Sequence, residues 1–600
     1  MPAGVGRMRF IDEEMVAPKI TKSMFLRIIK YFSPHWKYML IAILLIFVSS
    51  LLGLVPPIVI KYILNQALPQ KNLGLLGVLI LISVSSTIIG GLLQVGQTYL
   101  NNWIAKTIIF DMKNHMYSHL QHMSLKFFTS AKPGEIITRL TSDIDGISDI
   151  FNSTFVNALS SSFILLSTII VLITLNWQLA IVSMVILPLF VLPTRKVGKV
   201  RWNIASKSQA KISELNQIIQ ETLSISGSIL MQIFTQERNE YEKFKDSNQA
   251  VTKLQIRESL AGRWFIMTIS TLTAIGPMII YLFGGYLFIH GEISVGDIVA
   301  FVALLGRLYA PATQLSNIHI DVTRSFALFD RIFDYFDQPQ EIVDMPNAKQ
   351  INSLRGKVEF EHVYFSYDNQ IQVLNDIDFA VEPGMMVALV GSSGAGKTTI
   401  TNLIPRLYEV SDGKVKIDGV DIKDFTLESL RRKIGIVMQE PYLFNATIAD
   451  NLRYGKPDVT EPEMIEACQA AHIHEFIMTL PNKYQTIVGN RGIKLSGGEK
   501  QRISIARVIL KDPNIIILDE ATSALDSVSE ELIQKAMQPL LQGRTSFVIA
   551  HRLSTVLAAD RIIVVAKGQI REMGRHQELL NLNGIYRTLY DTQFKLQDNI

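Results

Sequence analysis

Five runs in the first 320 residues carry almost no formal charge, and their lengths decide what this half of the chain can fold into. No Asp, Glu, Lys or Arg occurs in residues 38–60, 72–105, 150–194 or 264–291, and residues 298–320 contain only Arg307. A helix needs about 20 apolar residues to cross the hydrocarbon core of a bilayer. Each run is long enough. The run at 150–194 is about twice the length one span needs. Asn176-Trp177-Gln178 near its centre reads as an interfacial turn, so it divides into two helices. Six spans result. A buried helix of a soluble protein could imitate one such run, but six within 320 residues argue against it.

Lys and Arg orient the spans. Seven fall in the first 37 residues, five in 106–146 and twelve in 195–263. The alternate connections hold two between the first and second spans, none at Asn176 and none in 290–297. The basic side is the cytoplasmic side, so both termini are expected inside, with an even number of spans. No short apolar core precedes a small-residue cleavage site, so no cleavable leader is expected. Met24, Phe25, Ile28, Ile29 and Phe32 repeat at helical spacing between Lys22, Arg27 and Lys30, the pattern of an amphipathic helix lying in the interface. Residues 1–37 are therefore assigned to a cytoplasmic tail and interfacial elbow helix, and 38–336 to the transmembrane domain. Its two long cytoplasmic loops keep helical periodicity, as in Ile212, Leu215, Ile219 and Leu223, so the spans should continue into the cytoplasm as helices. Phe127-Phe128-Thr129-Ser130-Ala131-Lys132-Pro133-Gly134 should break the first hairpin, and Ser226-Gly227-Ser228 the second.

The pattern changes after Phe336. Residues 337–357 are polar, contain Pro339 and Pro346, and read as a linker. Residues 358–600 alternate short β-branched runs with helical patterns, the signature of an α/β domain. The +4 net charge divides accordingly: residues 1–340 hold 29 basic and 21 acidic residues, and 341–600 hold 29 and 33. That surplus is too small to make nucleic acid a partner. With 48% hydrophobic and 19% charged residues in 600, the chain is neither disordered nor collagen-like. Cys468 is the only cysteine, which excludes an intrachain disulfide and a cysteine metal cluster; it reads as a packing residue.

Gly391-Ser392-Ser393-Gly394-Ala395-Gly396-Lys397-Thr398 matches the phosphate-binding loop G-x-x-x-x-G-K-[ST]. The run Val387-Ala388-Leu389-Val390 before it suits a buried strand, and residues 399–407 after it suit a helix. The glycines let backbone N–H groups converge on phosphate oxygens at a helix N-terminus. Lys397 would reach the β and γ phosphates, and the Thr398 hydroxyl a Mg²⁺ ion. Ile515-Ile516-Ile517-Leu518-Asp519-Glu520 is an apolar strand ending in two acids. Asp519 would hold Mg²⁺ and Glu520 would polarise the attacking water.

Leu495-Ser496-Gly497-Gly498-Glu499-Lys500-Gln501-Arg502 resembles the signature sequence of ABC (ATP-binding cassette) proteins. The order phosphate loop, Gln439, signature, Asp519-Glu520, Ser523-Ala524-Leu525-Asp526 and His551 is similar to that family throughout. Six spans followed by one cassette resemble the bacterial exporter-type half-transporters for drugs, lipids and peptides. The fold this implies is a membrane α-helical domain of six transmembrane helices plus an α/β P-loop nucleotide-binding domain, the type IV exporter-type architecture.

The resemblance also implies roles. ATP would be held by Tyr367, stacked on adenine, and by Gly391, Ser392, Ser393, Gly394, Ala395, Gly396, Lys397, Thr398 and Thr399. Ser496, Gly497, Gly498 and Glu499 would contact the ATP of the partner subunit, and Asp526 would link the two sites. Glu520, His551 and Gln439 would be catalytic; Thr398, Gln439 and Asp519 would bind Mg²⁺. Two positions depart from the family pattern. Glu499 replaces the commoner Gln and adds negative charge near the phosphates. Thr486-Ile487-Val488-Gly489-Asn490 ends in Asn where exporters carry Glu, which removes a charged contact toward the membrane-domain loops.

A cassette of this family needs the phosphate loop of one copy and the signature of another around each ATP, and this chain carries one of each. A two-fold dimer is implied; the intact catalytic positions suit a homodimer, a heterodimer with a degenerate partner site being the alternative, and the turns at Phe127–Gly134 and Ser224–Met231 resemble the family's coupling helices. ATP-driven export or flipping of a hydrophobic or amphipathic small molecule, lipid or peptide by alternating access is the expected function, in contact with membrane lipids and in a bacterial cytoplasmic (inner) membrane. An ATP-gated channel or regulatory subunit on the same fold is the alternative. Arg307 is expected to line a cavity. His115, His119 and His122 share a helical spacing that could bind a metal, but a solvated helix face is the favoured reading.

Overall fold

The computed structural model describes residues 21–131, 133–367, 371–519, 527–550 and 552–594. The chain divides into two units. One gathers the residues up to Leu120 with Gly134–Gln338, and the other Gln121–Pro133 with the residues from Pro339 onward.

The first unit is helical. Lys22–Phe32 forms the expected amphipathic helix, begun by Thr21, whose hydroxyl accepts from the Met24 N–H at 3.4 Å. Four stretches among the described residues are long and apolar enough to cross a membrane: Lys22–Ala67, Leu73–Gln121, Gly134–Leu175 and Val295–Ser316. A shorter apolar stretch covers Thr273–Ile289. The expected fourth and fifth spans lie on the helices Trp177–Thr222 and Glu237–Ile289, of 46 and 53 residues. At 1.5 Å per residue such helices reach roughly 70–80 Å, well over twice the bilayer core.

The turn expected at 176–178 is a single residue. Asn176 is extended (φ −163°, ψ 116°), and its side-chain oxygen accepts from the Leu179 N–H at 2.9 Å, so it ends one helix and caps the next. The helix Val295–Phe336 starts with a reciprocal cap between Ser294 and Asp297. Leu304, Leu305 and Leu308 on it are fully buried in a cluster with Leu172, Leu179 and Ile280.

The structure corrects the second cytoplasmic break. Ser226-Gly227-Ser228 lies inside a helix, Ile225–Ile233, and the chain turns on either side of it. Ser224 causes this, because its hydroxyl accepts from the Gly227 N–H at 3.0 Å and starts a helix rather than ending one. Gly227 permits the close return, since a Cβ there would collide with the Glu221 carbonyl. The first break holds a helix too, Leu125–Ser130. It belongs to the second unit, where Leu125 packs on the core and Lys126 Nζ meets Glu341 at 3.1 Å. His115 bonds Tyr31 Oη at 3.1 Å and stacks on Phe336, and no group of His, Cys, Asp and Glu among the described residues is gathered to hold a metal.

The second unit contains two sheets. The strands are β1 (Val358–Ser366), β2 (Gln372–Val381), β3 (Met386–Val390), β4 (Asp412–Ile417), β5 (Val420–Asp421), β6 (Ile434–Val437), β7 (Ile515–Asp519), β8 (Thr545–Ile549), β9 (Arg561–Ala566) and β10 (Gln569–Gly574). One sheet has the order β2-β1-β4-β5 and is antiparallel. The other has the order β10-β9-β3-β8-β7-β6, parallel except for β10. β3, β7 and β8 are almost wholly buried, as a parallel sheet covered on both faces requires. Cys468 is buried in a helical cluster beside this sheet, and burial pushes its thiol up to about 11.

Candidate active site

In an open parallel sheet, ligands bind beyond the carboxyl ends of the strands. β3, β8, β7 and β6 are neighbours and parallel, so the segments leaving their carboxyl ends emerge on one edge. The phosphate-loop sequence comes directly after β3, Asp519 ends β7, and Gln439 lies two residues beyond β6, exposed. β8 ends at Ile549, two residues before His551 in sequence. Glu520, Ser523 to Asp526 and His551 themselves lie outside the described residues.

The loop is shaped by its glycines. Gly396 has φ +108°, and a Cβ there would stand 2.7 Å from Leu374 Cδ2. At Gly391 a Cβ would strike the Val565 carbonyl. The helix Lys397–Leu403 starts directly after Gly396, shorter than the stretch to 407 that the sequence suggests. Lys397 is only 7% exposed. Its ammonium crosses the loop and donates to the carbonyls of Gly391 at 2.7 Å and Ser392 at 3.0 Å. Burial holds its pKa below the usual lysine range, with the Asp519 charge acting the other way. Thr398 is exposed in the first turn, and Thr399 is buried beside it.

Tyr367 comes directly after β1 and keeps 37% of its surface exposed. Its hydroxyl is bonded to Thr399 Oγ1 at 2.9 Å, and its ring meets the edges of Phe365 and Tyr408 at 4.9 and 5.2 Å. The aromatic is thus tied to the phosphate-loop helix, a link that sequence spacing could not reveal across 32 residues.

The signature sequence begins the helix Gly497–Lys511. Ser496 is its N-cap, and the Ser496 N–H donates to Glu499 Oε2 at 2.7 Å while the Glu499 N–H reaches back to Ser496 Oγ at 3.4 Å. Glu499 therefore completes a capping box. The expected negative charge is present, but the carboxylate is engaged on its own backbone. The carbonyl of a Gln amide can accept the same bond. Glu499→Gln should therefore keep ATPase activity within about threefold of the parent, since each capping interaction is worth only about 1 kcal/mol; steady-state phosphate release checks it. Gly498 sits where a Cβ would approach Ser529 Cβ to 2.8 Å, so the small residue lets two helices close. Asn490 is exposed at the start of a tight turn in which Gly489 and Arg491 have φ +79° and +51°.

A separate cavity of about 1000 Å³ lies within the helical unit, and Arg307 lines it. The guanidinium also donates to the Ser50 carbonyl at 3.4 Å, so the expected cavity lining is accompanied by a backbone hydrogen bond.

Both halves of the chain are similar to known proteins. The family described as the ABC transporter transmembrane region matches residues 39–311, and that described as ABC transporter matches 374–523. A putative multidrug export ATP-binding/permease protein of Bacillus subtilis is 37% identical over 94% of this chain and 99% of its own length. An ATP-dependent lipid A-core flippase of Syntrophus aciditrophicus is 37% identical over 95% of each chain. The solved structure of a bacterial Atm1-family ABC exporter with ATP bound aligns with a TM-score of 0.79 at 28% identity, over 93% of this chain and 98% of that one.

Proposed function

The chain belongs to the ABC transporter family, and from that premise we propose that two identical copies form an alternating-access exporter for a hydrophobic or amphipathic substrate. It is a multi-pass membrane protein with the type IV exporter fold, and it couples ATP hydrolysis to export. The domain limits follow the sequence reading, with residues 358–600 as the nucleotide-binding domain.

The observation that carries the proposal is the pre-shaped phosphate loop, with Lys397 already aimed across it. N–H groups of Gly391 to Thr398 would hold the phosphates, Lys397 would neutralise them, and Tyr367 would carry the adenine. Thr398, Asp519 and Gln439 come from the one sheet edge and offer oxygen donors, the type Mg²⁺ prefers. A bound Mg²⁺ would neutralise charge on the β and γ phosphates. Glu520 would orient and deprotonate the attacking water, and His551 would touch the γ-phosphate. Ser496, Gly497, Gly498 and Glu499 would face the nucleotide held by the other copy. Asp526 would link the two sites.

The family resemblance and one further observation support a second copy. Each ATP needs a loop and a signature that one chain of this family does not bring together. The helix Ile225–Ile233 also leaves Ile229, Leu230 and Ile233 exposed at its surface, an apolar face suited to docking on a partner domain. Closure of the dimer on ATP would shift the spans between inward-facing and outward-facing states. The basic connections support cytoplasmic termini and a bacterial cytoplasmic membrane. Relatives named for multidrug export and lipid A flipping support a drug-like or lipid substrate, and support transport by turnover over an ATP-gated channel. The test is reconstitution in proteoliposomes with a panel of drugs and lipids. ATP-dependent movement of at least one compound, by a particle of two chains, is expected. A monomer that hydrolyses ATP, or compound movement independent of ATP, would overturn the proposal.

A further inference from the structure

The cavity beside Arg307 has a lining that does not suit a purely apolar cargo. It lies among four membrane helices of one chain: Trp36–Leu52, Leu73–Gln121, the stretch ending at Leu175, and Val295–Phe336. Ser, Thr, Asn and Gln supply more than half of its lining, and Asp149 and Arg307 are its only charged members among the described residues. On the second helix Ser86, Gln94 and Asn101 repeat along one face through two close glycines, Gly90 and Gly91. On the third, Asn152, Ser153 and Val156 lie in a stretch, Phe151–Val156, wound as a π-helix. Such turns are uncommon and gather at functional sites. Polar side chains in a lipid-spanning segment are costly and face a cavity or a partner. Here they converge on a space of about 1000 Å³, at the upper end of ordinary ligand sites.

Arg307 is the charged anchor of this space. Its guanidinium lies against Gly53, where a Cβ would run into it, so the glycine makes room for the group. The carbonyl of Ser50, at 3.4 Å, is the one hydrogen-bond acceptor it has among the described residues, and its buried Nε has none. Among the described residues no carboxylate pairs with it, although Asp149 lines the same cavity. A guanidinium presents five N–H donors in a planar fork that matches a carboxylate or phosphate. Half-buried against the cavity with donors to spare, it is set to receive an anion.

We propose that this cavity binds the transported compound, and that the compound is amphipathic, rich in amide or hydroxyl groups, and bears an anionic group that pairs with Arg307. This rests on the exporter reading and narrows its substrate class. The amide and hydroxyl lining would meet the neutral polar groups of the cargo, and the guanidinium its charge.

The test uses the full-length protein in lipid nanodiscs without nucleotide. The probes are two peptides of serines and glutamines carrying a neutral coumarin, one ending in a free carboxylate and the other in an amide. Fluorescence anisotropy reads their dissociation constants, with empty nanodiscs subtracted. The carboxylate is expected to bind at least tenfold more tightly than the amide. Arg307→Gln should bring the two to within twofold of each other, and Arg307→Lys should keep most of the preference. Size-exclusion elution confirms assembly of each variant. Should Arg307→Gln not assemble, the wild-type preference and the Arg307→Lys result decide alone. Equal dissociation constants for the two probes in the wild-type protein would overturn the proposal, as would a preference that survives Arg307→Gln. Failure of the exporter reading would show elsewhere, in compound movement that does not need ATP.

Discussion

Glu520→Gln is expected to bind ATP as the parent does and to hydrolyse it at least 100-fold more slowly. In sequence the position comes directly after Asp519, the last residue of β7, and the carboxyl end of that strand lies on the same sheet edge as that of β3. Gln keeps the length and shape of Glu and can still hold a water by hydrogen bond, but it cannot take the proton. Loss of a positioned base costs about 10²–10⁴-fold, and 100-fold corresponds to about 2.7 kcal/mol in the barrier. Binding does not pass through this group, so the dissociation constant for ATP should stay within about threefold. In the proposed two-copy cycle hydrolysis reopens the ATP-closed state, so the variant should also accumulate ATP-closed dimers. Phosphate release, titration calorimetry and cross-linking of the two copies in ATP read these three quantities. Asp519→Asn separates the neighbouring role: it should weaken the Mg²⁺ dependence of ATP binding, which Glu520→Gln should leave alone. Turnover in Glu520→Gln within tenfold of the parent would remove Glu520 from the position of base.

Features of the chain that depend on short spacing are legible in the order of residues alone. The phosphate loop needs two glycines, a lysine and a threonine within eight residues, and the folded segment bends as the glycines demand. The division of the run at 150–194 is readable too, because one asparagine in an apolar stretch is a capping residue out of place in lipid. Features that depend on long-range packing, or on groups without charge, are not legible in this way. The polar face of Ser86, Gln94 and Asn101 is invisible to a census of Asp, Glu, Lys and Arg, so a span that borders a large polar cavity reads as merely apolar. The helix Leu125–Ser130 falls between membrane helices in sequence, yet Leu125 packs against a core cluster built entirely from residues 354–565, more than 200 positions away. No local pattern records that placement. Ser226-Gly227-Ser228 misleads for a third reason: the same residue types serve turns and helix caps, and only the Ser224 hydroxyl decides which. Glu499 reads as a charge toward phosphate, and its bond to the Ser496 N–H shows a local duty instead.

Lys397→Ala is expected to weaken ATP binding about 100-fold while the chain still folds. The ammonium is buried, has no ion pair among the described residues, and donates to the carbonyls of Gly391 and Ser392. Its proposed partner is the incoming phosphate. Hydrogen bonds to charged groups are worth about 1.5–3 kcal/mol each, and a loss of about 2.7 kcal/mol is 100-fold in the dissociation constant. Truncation frees the two carbonyls, but Ser392 is exposed and water can replace the lost donor there, so the melting temperature of the nucleotide-free protein should shift little. The pH dependence supplies an independent check. Burial holds the pKa of this lysine below its ordinary range in the free protein, whereas a bound phosphate favours the protonated form. Between the free and bound pKa values, binding takes up a proton, so affinity must fall as pH rises through the alkaline range. The wild-type protein should show that fall in calorimetric titrations, and Lys397→Ala should lack it. Retained affinity in the variant, or the same alkaline loss in both proteins, would show that Lys397 does not carry the phosphate contact.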